Sequence, residues 1–188
     1  MAITARQART FDPRQPFSRA EARAAGLGPK TLLSSRIHKV FYDCYVSSSV
    51  PLTTRLRARA VLGISPPGSY VSHAKAARLW GGLVPDTPDV HLTLPGKSGR
   101  SSRQGVKSHA GVDGAAVTRF RGLPISNPEQ TFLDLAAGLD LVALVVLGDS
   151  LVKAARTNAA ALRDAAFVWR GRGAKRARWA ARYVRAGV

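Results

Sequence analysis

The sequence is poor in cysteine, in acids and in long apolar runs. One cysteine, Cys44, among 188 residues excludes an intrachain disulfide and fits a reducing compartment. Acids number 11 against 29 Lys and Arg. Metal-dependent nucleases need clustered carboxylates, typically with an acid two residues before a lysine, to hold a cation and activate water. Two residues before the lysines at 30, 39, 75, 97, 107, 153 and 175 stand Gly28, Ile37, His73, Pro95, Gly105, Leu151 and Gly173, none acidic. No phosphate-binding glycine motif of the P-loop type occurs. His73, His91 and His109 show no metal-ligand spacing, and Cys44 has no partner cysteine. Ser72 beside His73 invites a nucleophile reading, but adjacent residues at a helix start point in different directions, no third group is placed to orient the histidine, and a helix cap accounts for Ser72. The expectation is a non-enzyme with no catalytic residues, no metal and no cofactor. The start, MAITARQAR, lacks the apolar stretch of a signal peptide. The longest apolar region, Phe132 to Leu147, is broken by Asp134, Gly138 and Asp140 and is too short and too charged to span a bilayer. A cytoplasmic protein with no membrane partner is expected.

What the chain has in excess is positive charge, a formal net of +18 at pH 7 with a pI near 11.5. The plainer readings of such an excess are solubility, or an Arg-rich composition from a GC-rich genome, and they discount it in part. The remainder favours a polyanion, through release of the cations condensed on phosphate backbones. The charge is arranged in blocks. Residues 1–50 carry eight basic and three acidic side chains, residues 122–149 four acids and no base, and residues 150–188 ten bases and one acid, Asp164.

The stretch Phe17 to Val46 reads as helix, tight turn, second helix and two-stranded ribbon, the plan of a winged helix-turn-helix. Ser18 with Glu21 three residues on is a capping box. Gly26 suits the left-handed stop of a helix, and Pro29 the first position of the next. Val40 to Val46 is rich in β-branched and aromatic residues, with Tyr42-Asp43 turning between strands. A helix over Pro29–Lys39, at about 100° per residue, puts Leu33 and Ile37 on one stripe facing the core. Thr31, Ser34, Ser35 and His38 then face outward, where small hydroxyls approach base edges. Lys30 and Lys39 would hold phosphates, and Tyr42 at the wing tip is a further candidate contact.

Beyond Ser47–Ser49 and Pro51, helices are expected over Leu52–Leu62, Ser72–Trp80, Asn127–Ala137, Asp140–Lys153, Asn158–Trp169 and Ala174–Arg185. Strands are expected over Val90–Leu94, Val106–His109 and Val117–Phe120. The fold class is therefore α+β: a winged helix-turn-helix over 1–50, then a mixed α+β domain over 51–188 with a small sheet and several helices. In the last helix Ala177, Ala180, Ala181 and Val184 form one face and Lys175, Arg178, Arg182 and Arg185 the other. Trp179 and Tyr183 lie at the edge of the basic face. That face, with Lys97, Arg100 and Arg103 of the basic loop Gly96–Gly105, is a secondary candidate for nucleic-acid or partner contact; the simpler alternative is a solvated face with its aromatics tucked into the core. Asp140 is read as a cap, Asp134 and Asp149 as partners for arginines.

Residues 1–46, SYVSHAKAARLWGG (Ser69–Gly82), DVHLTLPGK (Asp89–Lys97) and GLPISNPEQTFLDLA (Gly122–Ala136) together resemble the actinobacterial relatives of AbiEi, the antitoxin of type IV toxin–antitoxin systems. The resemblance implies a winged-helix head that binds an inverted repeat in promoter DNA and a C-terminal domain that counters a nucleotidyltransferase-like toxin. Longer relatives add a nuclease domain similar to very-short-patch repair endonucleases; this chain ends about where that domain would begin. Relatives often carry Gly where Asp43 stands, and Asp is among the better other residues for a left-handed turn. The expected function is an autorepressing, DNA-binding regulator of antitoxin type. The alternatives are the DNA-targeting front half of a truncated or split endonuclease, and a basic RNA-binding module.

Overall fold

The computed structural model describes residues 11–96, 103–111 and 116–185. The candidates Lys97 and Arg100 lie outside them. The described residues form eight helices and two sheets, an α+β architecture. None of these helices is long and apolar enough to cross a membrane.

The N-terminal unit opens with α1 (Arg19–Ala24). The Ser18 hydroxyl accepts from the Glu21 amide (3.1 Å) and the Ser18 amide donates to the Glu21 carboxylate (2.7 Å), the expected reciprocal cap. Gly26 takes φ +79° at the turn, and Pro29 opens α2 (Pro29–Leu32). Here the sequence expectation is corrected. The second helix does not run to Lys39: it ends after one turn, and Ile37–Phe41 is strand β1. Ser34 turns its hydroxyl back onto the Thr31 carbonyl (2.7 Å), offering the backbone an alternative to continued helix. Beyond it, Ile37 and Val40 favour the extended chain, where a β-branched side chain packs well. Leu33, expected in the core, is 88% exposed, and Leu32 is buried in its place.

Strand β1 pairs antiparallel with β2 (Cys44–Ser47), with a register shift between Lys39 and Phe41. Asp43 takes φ +56° in the turn, and its carboxylate accepts from the Arg19 amide (3.0 Å), tying the hairpin to the start of α1. Phe17 bridges Tyr45 through two backbone bonds. Phe17, Ala22, Leu32 and Tyr45 form the small core of this unit.

After α3 (Thr54–Gly63) come β3 (Tyr70–Val71), α4 (His73–Trp80), β4 (Val90–Leu94), β5 (Val106–Ala110), β6 (Val117–Phe120) and β7 (Leu123–Ser126). The strand order is β5-β4-β3-β7-β6, with β3–β7 and β4–β5 parallel. The last four helices are α5 (Pro128–Leu135), α6 (Leu141–Lys153), α7 (Ala159–Val168) and α8 (Ala174–Tyr183). Asn127, Asp140 and Asn158 cap three of them with side-chain oxygens. Phe132, Leu144, Leu147, Leu151 and Leu162 are fully buried at the centre of the larger core, against Val71 and Ile125 of the sheet.

A second core cluster joins the N-terminal hairpin to the rest of the chain. Phe41 and Cys44 pack with Ala60 and Val61 of α3 and with Val90, Leu92, Leu94 and Val106 of the sheet. The hairpin therefore packs on residues beyond the boundary read at residue 50.

Candidate nucleic-acid interface and a buried histidine cluster

The N-terminal unit carries Arg14, Arg19, Arg23, Lys30, Arg36 and Lys39 among the described residues, all exposed and none in an ion pair with an acid. Lys30 follows Pro29 in the single turn of α2 and is exposed. Thr31 follows it; Ser34 and Ser35 lie in the turn after the helix; His38 and Lys39 lie on β1. The seven residues expected on a reading helix and wing tip thus divide between a one-turn helix, a turn and a hairpin. Ser35, His38 and Lys39 are exposed; Thr31 and Ser34 are half-buried. Tyr42 is 66% exposed at the hairpin tip, and the Lys39 ammonium sits 5.8 Å from its ring centroid.

The secondary candidates separate. On α8, Ala177, Ala180, Ala181 and Val184 are buried as their spacing predicts, and Trp179 and Tyr183 stay exposed rather than tucking into the core. Lys175 and Arg182 are exposed, Arg178 is half-buried, and the Arg182 guanidinium lies 5.7 Å from the Trp179 ring centroid. Arg185 is committed elsewhere, donating to Asp149 from Nε (3.0 Å) and Nη2 (2.8 Å), the arginine partner expected for that acid. Arg103 donates to the Ile64 carbonyl (2.8 Å).

The fold also assembles a site that linear spacing hides. Strand β4 reads Val-His-Leu-Thr-Leu and is buried at every position. Alternation sends Val90, Leu92 and Leu94 to one side and His91 and Thr93 to the other. Parallel pairing of Thr93 with His109 brings the second histidine to that same polar side. His109 Nε2 lies 3.1 Å from His91 Nδ1. The third, His73, begins α4 with φ +52°, a backbone that non-glycine residues adopt only at a cost. Its ring stacks on His109 with centroids 3.6 Å apart and lies 5.4 Å from His91.

Two readings of this region are corrected. The Ser72 side chain caps no amide of α4. Its hydroxyl accepts from Thr93 (2.8 Å) and lies 3.0 Å from His73 Nδ1. A third group does stand beside the histidine: Asp134 of α5, whose carboxylate is 3.9 Å from His73 Nδ1 and accepts from Gln130 (2.8 Å). Asp134 has this neighbour in place of the arginine expected for it. Burial disfavours charge on all three rings. His73 is held far below the usual imidazole range, and His91 and His109 are each lowered to about 4, with the nearby Lys107 ammonium adding to the effect. Burial raises Asp134 to about 6, against hydrogen bonds that favour its carboxylate. At neutral pH the three imidazoles are therefore uncharged lone-pair donors. The only trace of this site in the sequence is the alternation of polar His91 and Thr93 with aliphatic residues in one strand.

No family model matches the chain, and no curated protein matches it. Among solved structures, the chain is similar to the crystal structure of the Rv2827c protein from Mycobacterium tuberculosis, with a TM-score of 0.60 and 17% identity, over 92% of this chain and 73% of that one. At that identity the likeness is one of fold.

Proposed function

We propose that the chain is a DNA-binding regulator of antitoxin type, engaging duplex DNA through its N-terminal unit arranged as a winged helix-turn-helix. The observation that carries this reading is the set of six exposed cations on that unit, none ion-paired with an acid among the described residues. Of the six, Arg19 donates to the Tyr45 hydroxyl (3.2 Å) and Lys39 lies by the Tyr42 ring, and none meets an acid among the described residues; phosphates would neutralise them and release condensed cations. The one-turn α2 and the hairpin divide the labour. Lys30, Arg36 and Lys39 hold the backbone, while Ser35, His38 and Tyr42 reach toward bases or a groove edge. The C-terminal unit, on the resemblance to AbiEi, faces a nucleotidyltransferase-like toxin.

The endonuclease alternative has less support. Several of the scarce acids already have partners: Glu21 in the cap of α1, Asp43 on the Arg19 amide, Glu129 on Thr157, Asp140 in the cap of α6 and Asp149 on Arg185. The test is a competition titration of the full chain against three ligands of equal length: duplex DNA from upstream of its own gene, the scrambled duplex, and double-stranded RNA. The proposal expects the upstream duplex to win by about tenfold or more, in line with a specific over non-specific preference. A preference for RNA would replace it with the RNA-binding reading.

A further inference from the structure

We propose that His73, His91 and His109 form a binding site for one divalent transition-metal ion of the zinc class. The inference is independent of the DNA-binding reading. One ring nitrogen from each histidine lies within 4.8 Å of the other two, and His109 Nε2 is 3.1 Å from His91 Nδ1. Zinc–imidazole bonds of about 2.0–2.1 Å in a tetrahedron put neighbouring nitrogens about 3.3 Å apart. One pair already has about that separation; the stacked His73 and His109 rings, 15° apart in plane, must turn about their side-chain torsions before their in-plane lone pairs meet at one ion.

The surroundings fit a cation better than a plain hydrogen-bonded stack. Two of the ligands stand on adjacent strands of a five-stranded sheet, a rigid base. The third is held in left-handed backbone at the start of α4, and strain of this kind gathers at ligand sites. Ser72, fixed by Thr93, contacts the His73 ring. Asp134 stands 3.9 Å from the same ring, beyond hydrogen-bond reach, and places a carboxyl group near the ion. Lys107 opposes a cation here and is exposed, so water screens it. Nitrogen-only ligation selects zinc, cobalt, nickel or copper over magnesium and calcium, which take oxygen. Three protein ligands leave a fourth position for water, the pattern of zinc sites that do chemistry rather than of closed structural ones.

The experiment uses the full chain, stripped with a chelator and titrated calorimetrically with Zn²⁺, then with Co²⁺ followed by visible absorption. The expected result is one equivalent of either metal, a cobalt spectrum of low coordination number, and a melting temperature raised by Zn²⁺ but not by Mg²⁺. His91→Gln and His109→Gln should each weaken binding at least tenfold. Asp164→Asn, an exposed acid on α7, should leave it unchanged. Circular dichroism checks the fold of each variant, and His73→Gln serves if either strand variant fails to fold. Substoichiometric binding to the wild-type chain, or one equivalent that survives the histidine substitutions, overturns the proposal and leaves a neutral imidazole stack.

Discussion

Replacing Phe41 by Ala should loosen the N-terminal unit from the rest of the chain. Phe41 is 4% exposed and packs in one cluster with Cys44, Val61, Val90, Leu92, Leu94 and Val106. The Arg57 guanidinium lies 5.7 Å from its ring centroid, and a side chain at Gly105 would touch the ring at 3.5 Å. Truncating a buried phenylalanine costs about 3–5 kcal/mol, since contacts are lost and the cavity closes only in part. For a chain of this length about 2–4 °C is lost per kcal/mol, so a global effect lowers the melting temperature by about 6–20 °C. Urea and thermal unfolding measure that loss, and amide hydrogen exchange over residues 37–47 tells local release of the hairpin from global unfolding. Either form supports the docked hairpin. A stability change under about 1 kcal/mol with unaltered exchange would refute it. The same reasoning predicts that residues 1–50 alone bind DNA more weakly than the full chain, because excision exposes Phe41 and Cys44.

Gly173 has φ +79°, and a Cβ there would fall 2.5 Å from the backbone of Ala136 and Ala137. Gly173→Ala should cost about 2–5 kcal/mol by denaturant titration, the sum of left-handed strain and overpacking. Gly148→Ala meets mainly the Val184 side chain, which can shift, and should cost less. Burial pushes the Cys44 thiol up to about 11, with Asp43 and Glu21 adding to the effect. A raised thiol pKa favours the neutral form, so at pH 8 about one thiol in a thousand is thiolate, against about a quarter at an ordinary pKa of ~8.5. Labelling of the native protein should be slow across pH 7–9 and fast once urea unfolds it; fast native labelling would contradict the buried assignment. Ser35→Ala and His38→Ala should each weaken binding to the true operator by about 1–3 kcal/mol more than to scrambled duplex. An unchanged ratio in the titration removes these residues from base reading.

Much of the α-helical framework is legible because its signals are local. Ser18, Asn127, Asp140 and Asn158 each announce a helix start with a side-chain acceptor that the structure uses. The buried stripe of α8 follows from its period alone. The second helix fails as an expectation because Leu33 and Ile37 match a helical period by coincidence, while Ser34 and the β-branched residues after it favour a turn and strand. Strand β3 passes unnoticed since two residues carry no alternation, and β7 since Pro124 within its four residues reads as a break. The histidine cluster is a product of topology. Its members are 18 residues apart in each interval and meet only because β4 lies between β3 and β5. Ser72 looked like a cap because its backbone is one, while its side chain answers to Thr93 and His73.

The most direct test of the DNA-binding account is the salt dependence of full-chain binding to the upstream duplex, measured by fluorescence anisotropy from about 50 to 200 mM salt. Each phosphate neutralised contributes about −0.9 to the slope of log K against log salt concentration. If Lys30, Arg36 and Lys39 each hold one phosphate, the slope is about −2.7 or steeper, and the triple alanine variant loses about that much. A slope near zero, or a steep slope that the triple variant leaves intact, would contradict the assignment of the N-terminal unit as the surface that grips DNA.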